Sequence, residues 1–232
     1  MKNPVLFPFA VLKLEYDSKY DRVMTDSARP AIHQPLQQRS RATANKVLDA
    51  LDALLREKPL DAIGIQELVR AAGVSVSSIY ARFRDKHAMV LALHERVVAQ
   101  LTAEMQALAE QDFSSWDLAV ITHHVIGYYL AFARRHQHIY RAVVLSGDAL
   151  IYERVMAQER LASQLAGAFL LKRMQPPPPD LELRVDVAVR VVAATLQQTW
   201  VLDSNQPTRF ALDDDALVQQ LTHLVMGYLT CN

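Results

Sequence analysis

Between Ile65 and Lys86 the chain reads IQELVRAAGVSVSSIYARFRDK, two apolar-periodic stretches separated by a corner that leaves room only for a tight turn between helices. Ile65, Leu68, Val69 and Ala72 recur at helical spacing. Gly73 can adopt the positive φ that ends a helix, and Ser75 can cap the start of the next. In the second stretch Ile79 and Phe83 stand four apart and face a core, which leaves Val76, Ser77, Ser78, Tyr80 and Arg82 on the other side. That outward set is small and polar at its start, which suits close approach of a helix end to a groove flanked by phosphates.

The prolines divide the remainder. They stand at 4, 8, 30, 35, 59, 176 to 179 and 207, outside every periodic segment. A first helix is expected over about 38–58, with Val47, Leu48, Leu51, Leu54 and Leu55 on one face. Asp85 can cap a helix carrying Met89, Leu93, Val97, Leu101 and Met105 at four-residue steps. Further helices are expected at about 115–136, 139–146, 149–174, 181–203 and 213–230, nine in all, for an all-α fold. One segment argues for a strand: Leu181, Leu183, Val185, Val187, Val189 and Val191 alternate with mostly polar neighbours. The same residues also place Leu181, Val185, Ala188, Val192, Leu196 and Thr199 on one helical face, and no second strand lies nearby to pair their backbone groups. Helix is therefore the reading, and only six Gly in 232 residues agree with it.

Ala72-Gly73-Val74-Ser75 followed by Ile79-Tyr80-Ala81-Arg82-Phe83-Arg84-Asp85-Lys86 resembles the tetracycline-repressor (TetR) family of bacterial regulators. The specific motifs cover roughly Gln38 to Val97; beyond them the likeness rests on length and helical pattern. The resemblance implies an N-terminal three-helix helix-turn-helix DNA-binding head on a C-terminal helical ligand-binding and dimerisation body. In those terms residues 1–35 are a leader, 36–97 the head and 98–232 the body. It further implies that Ser75, Ser77 and Ser78 open the recognition helix, that Tyr80 touches a phosphate, and that Lys86 does so from the next helix start. Two residues depart from the pattern. Gly64 stands where a Thr or Ser cap is usual, costing a few tenths of a kcal/mol. Val69 replaces a small Ala and widens the approach of the second and third helices. The last two helices would form the dimer's four-helix bundle, with Val185, Val192, Leu196, Leu217, Leu221, Leu224 and Tyr228 at the interface. Packing of the same stripes inside one monomer is the competing arrangement. Half-site recognition by a helix-turn-helix favours the dimer.

Composition sets the outer bounds. With 51% hydrophobic and 22% charged residues the chain is a folded globular protein. Formal charge is zero but uneven. Residues 36–87 hold nine Lys/Arg against six Asp/Glu, whereas residues 88–232 hold eleven against fifteen, a basic head on an acidic body. A single Cys, Cys231, excludes an intrachain disulfide and a CxxC site and fits a reducing bacterial cytoplasm, with the protein associated with the nucleoid. The apolar stretch from Pro4 to Leu12 is too short to span a membrane and lacks a signal-peptide cleavage pattern. Met24 begins a polar segment resembling the family's short leader, so residues 1–23 read as an upstream extension; an arm contacting DNA is the rival reading.

The body's chemistry is sparse. An aromatic and His-rich zone over residues 116–140, with Phe169, suggests a pocket for an apolar or aromatic small molecule lined by Trp116, His124, Tyr128, Phe132 and Phe169. No HExxH or carboxylate–His pair completes a metal set, so neither a metal nor a cofactor is expected. No Gly-x-Ser-x-Gly elbow or Gly-rich phosphate loop is present, which argues against an enzyme. The resulting expectation is a homodimeric repressor, bound to double-stranded DNA at an inverted-repeat operator and released by a small-molecule effector. Base readout would come from the Ser hydroxyls, Val76 and Arg82. Arg39 and Arg41, ahead of the first helix, either reach the DNA or belong to a solvated leader. The runner-up is a DNA-associated protein that uses the same head but binds a protein partner through its body.

Overall fold

The computed structural model describes residues 34–144, 149–201 and 209–231, in two units, Met1–Arg41 and Ala42–Asn232. Of the first unit only the opening turns of one helix are described; the expectations for residues 1–23 and Met24 lie outside the described residues. The described residues form eight α-helices and no strand: α1 Gln34–Glu57, α2 Ile65–Ala72, α3 Val76–Tyr80, α4 Lys86–Ala109, α5 Leu118–Val144, α6 Ala149–Arg173, α7 Leu181–Val201 and α8 Asp214–Thr230. A single 3-10 turn, Leu60–Ala62, follows α1.

Three boundaries differ from expectation. α1 begins at Gln34, so Pro35 stands in its first turn, where a missing N–H costs nothing, and Arg39 and Arg41 lie within the helix and not ahead of it. The segments expected at 115–136 and 139–146 are one helix, α5, because Gln137 and His138 offer neither a Gly nor a Pro to stop it. α3 ends at Tyr80, so Phe83 reaches the core from the turn beyond it, its N–H donating to the Ile79 carbonyl at 2.9 Å. The alternating segment from Leu181 is helical, α7, as its second periodicity indicated.

Local chemistry explains the corners. Gly73 sits at φ 64, and its N–H donates to the Val69 carbonyl at 3.0 Å, closing α2 in the left-handed conformation. The hydroxyl of Ser75 accepts from the Ser78 N–H at 3.1 Å and caps α3. Asp85 and Asp213 cap α4 and α8, each accepting a backbone N–H at 2.7 Å, from Ala88 and Ala216. Gly64 caps α2 without a side-chain bond, so that start rests on packing.

The first apolar cluster is built by Leu51 of α1, Leu68 of α2, Ile79 of α3 and Met89 and Leu93 of α4, all fully buried. Each such side chain contributes roughly 1.5–3 kcal/mol. The same cluster continues along α4 through Val97 and Leu101 to Phe132, Ile139 and Val143 of α5. A second cluster joins Ile126 and Leu130 of α5 to Leu170 of α6, Leu181, Val185 and Leu196 of α7, and Leu217, Leu221 and Val225 of α8.

An added Cβ at Gly73 meets no atom within 4 Å, so the whole effect of a substitution lies in the backbone. Gly73→Ala is expected to destabilise the protein by about 1–2 kcal/mol in urea denaturation, and Gly73→Asn by less, since Asn tolerates the left-handed region better.

Candidate functional site: the helix-turn-helix and the body cavity

α2 and α3 meet across Gly73, and burial of Ile79 fixes which side of α3 faces out. Ser75, Ser77 and Tyr80 are exposed, Tyr80 by 50%, while Val76 and Ser78 are half-buried. The hydroxyls form a small network, Ser75 Oγ lying 3.0 Å from Ser77 Oγ and 2.9 Å from Ser78 Oγ. Of the outward set expected from the spacing, Val76, Ser77, Ser78 and Tyr80 are exposed or half-buried, beside the cap Ser75. Arg82 bends back from the turn after α3, donating from Nη1 to the Ser78 carbonyl at 2.8 Å, so its guanidinium is held against that helix. Lys86 is engaged in a way that the motif did not signal. Its ammonium donates to the Leu60 and Ile63 carbonyls at 3.1 and 3.0 Å, tying the start of α4 to the 3-10 turn. Arg41 is exposed on α1, within the first unit.

The body holds a cavity of about 530 Å³ walled by α4, α5, α6, α7 and α8. Leu101, Met105, Ile126, Phe169 and Val192 give its apolar character. Of the five residues expected to line a pocket, Tyr128 and Phe169 do so. Phe132 does not: it is buried in the first cluster, with its ring 4.6 Å from that of His136. Trp116 and His124 are exposed and pack around Phe113, which does line the cavity. They buttress the wall from outside. Sequence reasoning reached α6 through Phe169 but missed the α7 and α8 contributions, because a stripe facing a void has the same periodicity as one facing a core.

The polar groups at the wall are unlike one another. Tyr128 donates a short hydrogen bond to Glu104, which holds the Glu104 carboxyl below its usual range and raises the phenol. Burial raises the Tyr129 and Tyr140 phenols, so both stay neutral. Burial also pushes up the Glu159 carboxyl, aided by Asp186 and opposed by Arg190. Among the described residues no group of three His, Cys, Asp or Glu is placed to hold a metal. No helix among them is long and apolar enough to cross a membrane.

The expected dimer residues divide. Val185, Leu196, Leu217 and Leu221 are buried within the single chain, and Val192 lines the cavity. They point into the monomer because α7 and α8 pack their apolar sides on α5 and α6. Leu224 and Tyr228 are exposed, by 49% and 38%, as is Leu183 of α7 by 62%.

Between α1 and α5 runs a polar seam. His138 of α5 lies 2.5 Å from Asp52 of α1 through Nε2, and Arg56 donates both to Asp52 at 3.4 Å and to the Arg135 carbonyl at 3.4 Å. Burial pushes Asp52 up, but its contacts with His138 and Arg56 outweigh that and hold it below the usual carboxylate value. Burial lowers His138 below the usual imidazole value despite the Asp52 bond, so at neutral pH a neutral imidazole N–H donates to a carboxylate. His136 is lowered for the same reason.

Residues 47–93 match the family of bacterial regulatory proteins called the tetR family. The HTH-type transcriptional regulator EthR of Mycobacterium tuberculosis is 38% identical over 64 residues, 28% of this chain and 30% of EthR. The nucleoid occlusion factor SlmA of Glaesserella parasuis is 31% identical over 123 residues, 53% of this chain and 58% of SlmA. The chain thus matches under a third of one relative's length and a little over half of the other's. A tetR-family transcriptional regulator from Streptomyces coelicolor superimposes with a TM-score of 0.59 at 21% identity, over 83% of this chain and 80% of that one. The transcriptional regulator FadR from Bacillus subtilis, in complex with stearoyl-CoA, does so with 0.55 at 14% identity, over 80% and 97%. At those identities the likeness shows a shared fold.

The seam makes stability depend on pH with a definite sign. His136 and His138 resist protonation when folded, whereas the unfolded chain takes up protons near the ordinary imidazole value of 6.5. Stability is therefore fully present above that value and declines as pH falls below it; Asp52 acts only below its unfolded value of 3.8. The melting temperature is expected to fall between pH 7 and pH 5, and to fall less in His138→Gln, as followed by circular dichroism.

Proposed function

The chain carries a tetR-family helix-turn-helix on a tetR-type fold, and from that premise we propose a homodimeric transcriptional repressor, released from an inverted-repeat operator by a small molecule in the body. One observation carries the reading: the matched segment, residues 47–93, folds so that Ser75, Ser77 and Tyr80 are exposed while Ile79 anchors α3. Residues 36–97 act as the DNA-binding head and 98–232 as the effector and dimerisation body. Val76 and the Ser hydroxyls read base edges, while Tyr80 and exposed Arg41 meet phosphates. Lys86, its ammonium held by the Leu60 and Ile63 carbonyls, keeps one donor and its charge for a phosphate. The cytoplasm, where the operator is, is the place of action.

The effector is small and largely apolar, as the cavity's size and walls support. FadR from Bacillus subtilis, which shares the fold, was solved in complex with stearoyl-CoA, a molecule whose acyl chain is apolar. The cavity is walled by α4, whose first turns belong to the head, so an occupant that favours one placement of α4 biases the spacing of the two recognition helices. Leu183, Leu224 and Tyr228 offer the exposed apolar surface for a second copy. A second reading, a DNA-associated protein whose body holds a protein partner, is favoured by the SlmA likeness, which extends beyond the head.

Retention of fragmented genomic DNA at two salt concentrations tests the proposal. A few sequences with an inverted repeat, surviving the higher salt, are expected; broad retention lost with salt would leave only backbone binding. Tyr80→Ala should weaken binding to all sequences alike without changing the melting temperature. Leu224→Glu should shift the protein to monomer in sedimentation and remove high-affinity operator binding.

A further inference from the structure

We propose that the body cavity selects a neutral apolar molecule bearing a carbonyl-type oxygen, which accepts a hydrogen bond from Gln158 Nε2. The proposal rests on the cavity being the effector site. Gln158, on α6, lines that cavity, and its amide nitrogen is buried with no hydrogen-bond partner among the described residues. A buried amide N–H is costly to leave unpaired, and an incoming acceptor repays a desolvation already suffered in the free protein. Two of the other wall hydroxyls are already engaged. Tyr128 donates to Glu104, and Thr122 Oγ1 donates to the Leu118 carbonyl at 2.8 Å.

The charge of the wall narrows the class. Among the described residues no Lys or Arg lines the cavity, and Glu159, the only carboxylate that they place in the wall, adjoins Gln158 in sequence. An anion entering here finds no Lys or Arg among them to offset its desolvation. Burial holds the Glu159 carboxyl above its usual range, so this neighbour is either neutral or repels an anion. A cation gains from Glu159 but leaves the Gln158 donor unanswered, since an ammonium has no lone pair to offer. A ketone, ester or amide on an apolar frame satisfies both conditions.

The test uses two dyes of similar size: Prodan, a neutral naphthyl ketone, and anilinonaphthalene sulfonate, an anion. The full chain should bind Prodan saturably and at least about tenfold more tightly than the sulfonate, and Gln158→Leu should weaken Prodan about tenfold while leaving the sulfonate unchanged. Because the dye's emission shifts to the red when its carbonyl accepts a hydrogen bond, bound emission should move to the blue in Gln158→Leu. The melting temperature of that variant should be unchanged or higher, since an unpaired buried donor is removed. Equal Prodan affinity and emission in both proteins would overturn the inference, as would a sulfonate or an added cationic dye that binds as tightly as Prodan; the cavity would stand as an effector site. Ala162→Trp, which fills the cavity, separates the two levels. Failure of either dye to bind the native chain, or Prodan binding that survives Ala162→Trp, would remove the cavity reading and the inference together.

Discussion

One buried face of one helix carries this molecule. Met89, Val90, Leu93, Val97 and Leu101 run along α4, all buried, and they belong to a single apolar cluster that begins in α1 to α3 and ends on α5. The helix-turn-helix has few residues with which to make a core: α2 and α3 bury Leu68, Ala72 and Ile79 in it, with Ile65 and Val69 packed against it partly buried. Without the α4 face beneath them, those helices would be too short to persist, because most helical stability comes from tertiary packing. The head is therefore an extension of the body's packing. A change in the placement of α4 reaches α3 because close-packed side chains transmit displacement.

The polar seam beside this cluster adds specificity. Asp52 and Arg56 of α1 meet His138 of α5, more than eighty residues away, with His138 largely buried, Asp52 partly buried and Arg56 exposed. Removing such charges from water gains little net stability, but breaking the set leaves an uncompensated group, so the seam favours one register of α1 against α5. His136 sits beside it with both ring nitrogens buried and no hydrogen-bond partner among the described residues, stacked only on Phe132. That is a locally unfavourable choice where α5 meets α1.

The helix-turn-helix was legible residue by residue. Gly73, Ser75, Ile79, Asp85 and the outward Ser–Tyr surface all behave as their spacing indicated, since each depends on contacts within four or five residues. α7 was also legible once pairing partners for a strand were sought and none was found. The cavity and the last two helices were less so. Val185, Leu196, Leu217 and Leu221 have the period of an interface stripe, yet they are buried inside one chain. Periodicity reports that a face is apolar, and it is silent on what covers that face. Phe132, Trp116 and His124 show the same limit: aromatic content marked the right helix, but only packing decides whether a ring faces a void, a core or solvent.

What the sequence determined by itself was therefore everything that local forces govern: the all-α class, the helix starts and stops at Gly73, Ser75, Asp85 and Asp213, and the side of α3 turned outward. The tertiary structure alone decided the rest. It merged two expected segments into α5, turned Lys86 onto the carbonyls of Leu60 and Ile63, paired Asp52 with His138, and left a cavity with a buried amide at its wall. The physical reason is one of range. Caps, turns and amphipathic faces arise from neighbours along the chain, whereas cavities and distant ion pairs arise from the angles at which finished helices pack.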